Sequence, residues 1–364
     1  MTARWTRRAM LQAGSAGLVR PLAAQPPRVT LPRPVRVGIL GLEGHFSEVL
    51  EAAKILPEIQ VVAVAASKPR ELKRAAENRV LAAAKRYEDY RRLLDAEKLD
   101  AVAICDENGQ RAASIMACAE RGLAIAAEKP LAITLEELQA VKKSIARHKA
   151  PLTMLLPMRF EPHYLAMRAI IAAGEIGEVV AMGAQKSYKL GLERYQRPEW
   201  MRRRRTYGGT IPYIGVHMVD LMRWVSGREF VETAAFQSTV GSAELGDMEN
   251  NTAVIYRMDN RGTANLRMDY LRPETAPTHG DDRLRVAGAK GVIEYQGGNL
   301  TLITAAKKPH SIADLPRHPP LFADFLDSIY NHKEHMIALN DVFRVTEIVL
   351  RSREAAETNR IVRL

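Results

Sequence analysis

The sequence is poor in cysteine, with two in 364 residues, and poor in aromatics, which make up 6%. Cys105 and Cys118 stand in no Cys-x-x-Cys pair and in no mixed Cys/His cluster at ligand spacing. Neither a disulfide framework nor a metal site is therefore encoded, and both read as structural thiols. Past residue 30 no stretch approaches the roughly 20 apolar residues that a membrane-spanning helix needs. Internal repeats and low-complexity segments are lacking too. What is left is ordinary for a globular chain: 47% hydrophobic and 26% charged residues, which excludes collagen-like, disordered and multi-span membrane classes. Single cores run to roughly 100–200 residues, so two domains are expected.

Acidic residues are in the minority, 42 Asp plus Glu against 53 Lys plus Arg, for a formal charge of +11. The basic residues are scattered, and no nucleic-acid motif or aromatic-basic stripe accompanies them. A phosphate-bearing cofactor or an acidic substrate fits this balance better than a nucleic acid. The segment Thr6-Arg7-Arg8-Ala9-Met10-Leu11, followed by small residues to Val19 and by Ala23-Ala24-Gln25, resembles a twin-arginine export leader. It implies a periplasmic or extracytoplasmic protein. Arg20 shortens the apolar stretch, which leaves an uncleaved basic tail on a cytoplasmic protein as the alternative. Residues 1–33 are assigned to leader and spacer.

Short unalternating apolar runs at 35–40, 59–66, 100–105, 124–127 and 152–156 are separated by helix-like segments near 46–56, 70–84, 109–122 and 134–149. Continuous apolar strands alternating with helices predict a parallel, doubly wound sheet over 34–157, with ligands beyond the carboxyl ends of its strands. Past Pro157 the rhythm changes. A helix near 161–174, a strand over 178–188, an arginine-rich loop and a helix near 214–226 precede alternating segments near 231–240, 250–258, 262–270, 282–288, 291–295 and 299–303. These predict an open, largely antiparallel sheet in a second α/β domain over 158–364, closed by a helical tail over 320–359.

Gly38, Gly41 and Gly44 follow the first strand and precede a helix, the context in which a glycine-rich turn cradles a pyrophosphate. In the strict G-x-G-x-x-G pattern from Gly41, the later places hold Glu43 and Phe46, and a carboxylate there repels phosphate. Gly44 can serve in a longer turn. After the second strand stand Ser67 and Lys68 where an acid would bind the ribose of NAD, a chemistry that suits the 2′-phosphate of NADP. Glu128-Lys129-Pro130 ends a later strand and puts Lys129 at the ligand crevice. On a helix, Tyr213 and His217 share a face and Asp220 lies a turn on.

Together with Arg159-Phe160-x-Pro162, Gly174-x-Ile176-Gly177, the Gly208-Gly209 to His217-x-x-Asp220 segment and the closing Asn359-Arg360-x-Val362, these motifs resemble the Gfo/Idh/MocA oxidoreductases over nearly everything after residue 34. The resemblance implies an N-terminal Rossmann domain, a C-terminal open-sheet domain, NADP or NAD as cofactor, a sugar, cyclitol or related polyol as substrate, and a homo-oligomer. Residue by residue it implies cofactor contacts from Gly38, Gly41, Gly44, Ser67, Lys68, Asn108, Glu128 and Lys129. It implies substrate contacts from Arg159 and Asp220, and catalysis by Lys129 and His217. A histidine with a pKa near 6.5 suits the base that takes a hydroxyl proton, and Lys129 the cation that steadies an alkoxide.

The sequence departs from the family at Tyr213, where an aspartate is usual, and in the loop after the fourth strand, where only Asn108 matches. Tyr213 orients one of the catalytic pair or relays a proton. Alternatives to net hydride transfer are glycoside cleavage by transient oxidation and elimination, and a non-catalytic carbohydrate-binding relative without cofactor. The run Arg202-Arg203-Arg204-Arg205 reads as a solvated loop or as a contact for an acidic sugar or a neighbouring subunit.

Overall fold

The computed structural model describes residues 28–190, 199–241 and 245–364. The leader motif lies outside the described residues. Among the described residues no helix is long and apolar enough to cross a membrane. The spacer is not free chain: Val29 and Leu31 are buried in the core.

The N-terminal half alternates β1 (Val35–Leu40), α1 (Ser47–Ile55), β2 (Ile59–Ala65), α2 (Pro69–Glu77), β3 (Lys85–Tyr87), α3 (Tyr90–Ala96), β4 (Ala101–Ile104), α4 (Asn108–Ala119), β5 (Ala124–Ala127), α5 (Leu135–His148) and β6 (Leu152–Met154). The strands form one parallel sheet in the order β3-β2-β1-β4-β5-β6. Strand order reverses between β1 and β4, and a doubly wound sheet opens its ligand crevice at that point. Local chemistry sets the boundaries of the flanking helices. Thr134 caps α5 by accepting from the Glu137 amide at 3.1 Å, acids occupy its first turn and Arg147 and His148 its last, in accord with the helix dipole. Asp89 caps α3 in the same way at 2.7 Å.

The sequence predicts one helix near 70–84 and no element between 85 and 99. Both β3 and α3 were thus missed, because Lys85-Arg86-Tyr87 is an exposed edge strand without the apolar run that marks its neighbours.

The second half opens with α6 (Pro162–Ala172) and β7 (Val179–Lys189), then α7 (Arg204–Tyr207), a π-helical turn over Ile211–Gly215 and α8 (Val216–Ser226). Strands β8 (Phe230–Ser238), β9 (Asn251–Met258), β10 (Thr263–Arg272), β11 (Gly280–Gly288), β12 (Gly291–Gln296), β13 (Asn299–Thr304) and β14 (His310–Ser311) follow. Helices α9 (Leu321–Tyr330) and α10 (Leu339–Thr358) and the short β15 (Val362–Arg363) close the chain. The helical tail expected over 320–359 consists of these two helices. The sheet order is β14-β13-β12-β11-β7-β10-β9-β8-β15, antiparallel throughout except for the β7–β10 pair. Residues alternate inward and outward along β9 and β10, so one face packs under α6, α8 and α10.

Arg159 and Asp220, expected as substrate contacts, are instead bonded to each other. Both side chains are 1% exposed, and the guanidinium reaches the carboxylate through Nε at 2.7 Å and Nη2 at 2.5 Å. Nη1 adds the Met336 carbonyl and the Asp341 carboxylate, each at 3.1 Å. A planar fork whose donors are satisfied from both sides has nothing left for a ligand. Its work is to tie the start of α6 to α8 and the end of the α9–α10 link. Removing one partner strands the other's charge in the interior. Asp220→Asn or Arg159→Met is expected to cost about 3–5 kcal/mol in urea unfolding, and a loss under about 1 kcal/mol would show that water reaches the pair.

Candidate active site

Three strand ends of the parallel sheet build the crevice. After β1 the chain turns through Gly41 and Gly44, at φ +81° and +59°. A Cβ on Gly41 would stand 2.3 Å from the Cys105 carbonyl oxygen, and one on Gly44 2.1 Å from Glu128 Oε1, so the turn needs both glycines. Gly38 has another use. It lies within β1, where a Cβ would meet Leu99 Cδ1 at 2.9 Å, and so it serves packing rather than the expected cofactor contact. The crevice holds about 250 Å³ and is lined by Gly41, Glu43, Ala65, Ser67 and Lys68 from the first two strand ends. Glu71, Glu88, Asp89, Tyr90, Arg91, Asp106, Glu107 and Gln110 complete the walls.

Those walls are acidic: Glu43, Glu71, Glu88, Asp89, Asp106 and Glu107 against Lys68 and Arg91. Lys68, expected to meet a 2′-phosphate, contacts three carboxylates, Glu43 and Glu107 at 3.1 Å and Glu71 at 3.6 Å. Burial opposes its charge, but Glu43 and Glu107 outweigh burial and hold it as a firmer cation than usual. Asp106 moves the other way, pushed up to about 6 by burial against the opposing pull of Arg111 and Ser114.

Asn108, the expected cofactor contact after β4, is fully buried outside the crevice. Its amide donates to the Tyr207 carbonyl at 2.8 Å and its oxygen accepts from Arg111 at 3.0 Å. Arg111 in turn holds the Lys129 and Pro130 carbonyls at 2.9 and 3.0 Å and also bonds the Asp106 carbonyl. This buried guanidinium fixes the backbone that carries Lys129.

Glu128 and Lys129, at the end of β5, are 2% and 5% exposed. Lys129 Nζ donates to the Tyr213 carbonyl at 3.0 Å and lies 3.8 Å from the centre of the Tyr213 ring. Tyr213 sits in the π-helical turn rather than in α8, so it meets Lys129 and packs against Trp200 and Tyr207. Glu128 does not face the crevice as a cofactor ligand. Its Oε1 accepts from the His45 amide and from His45 Nδ1 (2.5 Å), and its Oε2 from the Lys129 amide at 2.8 Å. Burial alone would raise this carboxyl, yet His45, Lys129 and Arg111 bring it down to about 2.

His217, on the first turn of α8, is 2% exposed and its Nδ1 has no partner. Its ring stands 5.2 Å from that of His45, edge to face. Burial, then the nearby Lys129, Lys186 and His45, drive its pKa well below the ordinary value. The expected base near 6.5 is thus a neutral imidazole at pH 7.

Lys186 escaped the sequence reading. It follows Met182 and Ala184 on the inward register of β7, and a lysine on a buried strand face was the available signal. Its Nζ bonds Asp282 at 2.6 Å. Burial works against its charge, but Tyr188 and Asp282 keep it a cation. Glu161, beside Lys186 and Asp282, is raised by burial to about 7. Arg203 and Arg204 from the arginine run are engaged by protein, Arg203 with Glu199 at 2.9 Å and Arg204 with Glu249.

The sequence profile described as the oxidoreductase family with NAD-binding Rossmann fold matches residues 35–155, and that of the GFO/IDH/MocA C-terminal domain matches 164–294. The chain belongs to the Gfo/Idh/MocA oxidoreductase family. Among solved structures, an oxidoreductase from Thermotoga maritima superposes with a TM-score of 0.85 at 30% identity, over 91% of this chain and 100% of that one. Oxidoreductase YrbE of Bacillus subtilis is 28% identical over 63% of this chain and 64% of its own length. Inositol 2-dehydrogenase of Rhizobium meliloti is 29% identical over 64% and 66%. The matched region thus spans just under two thirds of these two curated relatives.

Glu161 gives the site a signature in stability. Because its folded pKa is raised from 4.5 to about 7, the native state binds the extra proton, and stability falls as pH climbs through that window. Glu161→Gln is expected to flatten this slope in unfolding measurements at several pH values. An unchanged slope would mean that the carboxyl is solvated in the native protein.

Proposed function

We propose that this family member is a dehydrogenase that uses NAD rather than NADP and acts on a hydroxyl of a cyclitol or sugar. The observation that carries the reading is the pairing of a neutral, buried His217 with the cationic Lys129 beside the carboxyl edge of a doubly wound sheet. The relatives named as inositol dehydrogenases support the substrate class.

The crevice suits a nicotinamide dinucleotide in position and in its tight double-glycine turn, with Gly41, Ser67 and Lys68 among the residues that would hold it. When bound, the nicotinamide accepts or supplies the hydride. His217, uncharged at pH 7, is free to take the hydroxyl proton. Lys129 offers a cation to the oxygen as negative charge develops, in a setting where water does not screen it. Tyr213 positions that cation from below. Asp282, whose Oδ1 is buried without a partner, would accept from a further substrate hydroxyl.

The same crevice argues against NADP. A 2′-phosphate adds roughly two negative charges to a wall already rich in carboxylates, and the one lysine placed to meet it is shared among three acids. In fluorescence titrations without substrate, NADH is expected to bind at least about tenfold more tightly than NADPH, and Glu43→Gly to tighten both by a similar factor. Tighter NADPH binding would reverse the cofactor assignment. Binding of neither would make the chain a carbohydrate-binding relative, the reading that the acidic turn favours.

Lys129→Met and His217→Asn are each expected to lower turnover about 100-fold or more on a substrate found by screening cyclitols and sugars, with NADH affinity kept. Full turnover by both variants would end the proposed roles.

A further inference from the structure

We propose that His45 is the proton outlet of the site, the imidazole that receives the proton collected by His217 and delivers it to solvent. The proposal rests on the reading of His217 as the base.

His217 cannot keep a proton. It is buried, and Lys129 and Lys186 face it from β5 and β7, so a third positive charge there has neither water nor a counter-ion. Each turnover must move that proton on. The ring beside it is His45, 5.2 Å away edge to face. The two rings differ in access to water, since the His45 side chain is 30% exposed.

The state of His45 follows from its partner. Glu128 is ionised and can only accept, so the 2.5 Å contact places a hydrogen on His45 Nδ1. Nε2 is then the nitrogen with a free lone pair. When Nε2 takes a proton, the resulting cation is already bonded to the Glu128 carboxylate, and Glu48 on α1 adds a second carboxyl nearby. The charge that is costly on His217 is matched on His45.

The bookkeeping closes. A bound nicotinamide would supply the acceptor for the substrate hydride, and the O–H proton passes to His217, then to His45 Nε2 directly or through one water, then to bulk water. Reduction runs the same path backwards. Glu128 keeps the Nδ1 proton in place throughout and is a positioning residue.

A purely structural reading makes the His45–Glu128 bond a pin for the glycine turn, and His45→Asn separates the two roles. Asparagine can still donate to Glu128 and hold the turn, but it cannot carry a proton. His45→Asn is expected to bind NADH as the wild type does, with KM unmoved and kcat lowered about 100-fold, and imidazole in the buffer is expected to restore turnover to His45→Ala. Unchanged kcat in His45→Asn, or no rescue of His45→Ala, overturns the proposal.

A second measurement needs neither cofactor nor substrate. In NMR spectra of histidine-labelled protein recorded over a pH series, the His217 ring signals are expected to shift with pH and to lose that shift in His45→Asn. Identical His217 signals in both proteins would show that the rings are uncoupled and sink the outlet role. Failure of the wild type to bind NADH would strike the dehydrogenase reading and, with it, the outlet role.

Discussion

Glu128 carries a full negative charge with almost no access to water, and a carboxylate survives in that state only if protein donors replace its hydration. The donors it has are the amide and ring of His45 and the amide of Lys129. One anion therefore fixes the glycine turn after β1, the imidazole within that turn and the backbone of the lysine at the end of β5. The constraint extends outward. Gly44 must lack a side chain because the carboxylate fills that space, and Arg111 holds the Lys129 carbonyl from the opposite side. The glycine turn and Lys129 are thus parts of one polar assembly.

The fold was legible in the sequence where burial leaves an apolar run. Strands β4 and β5 are buried throughout and read as unbroken hydrophobic segments, and β1 and β2 are broken only at Arg36 and Gln60, whereas the exposed, basic β3 has no such pattern. Lys129, His217 and the glycine turn stand in the sequence at positions where motif and predicted element coincide, and the structure brings them to one end of the parallel sheet. Other site residues differ from the expectation in one respect, namely that sequence cannot say which polar partners are already taken. Arg159 and Asp220 saturate each other, Asn108 is consumed between Tyr207 and Arg111, and Lys68 is surrounded by acids brought from three separate segments. Ionisation state is likewise a tertiary property. The lowered basicity of His217 comes from burial and from lysines 88 and 31 positions away in the chain, Lys129 and Lys186.

Opposed environments divide the acid-base groups. Glu128 is pushed down and Glu161 up, although both are glutamates partly or wholly removed from water, because one meets donors and the other meets mainly burial. Lys186 stays charged through Asp282 and Tyr188, and its charge helps keep His217 neutral. The surroundings of His217 therefore hold fixed cations around a neutral imidazole, while the crevice beyond β1, β2 and β4 is walled mainly by acids.

The chain's last helices return to its first half. Helix α9 packs against α1, Asn331 donates to the Thr30 carbonyl at 2.8 Å, and His335 bonds Thr153 of β6 at 2.8 Å. Further along, Arg353 of α10 holds the Ile133 carbonyl at 2.8 Å and the Gly208 carbonyl at 2.5 Å. Synthesis delivers β1 to β6 first, at roughly 5–20 residues per second, but part of their cover emerges some hundreds of residues later. For tens of seconds on the ribosome the parallel sheet is complete in its strands and incomplete in its coat. A segment made later completes the coat of one made earlier.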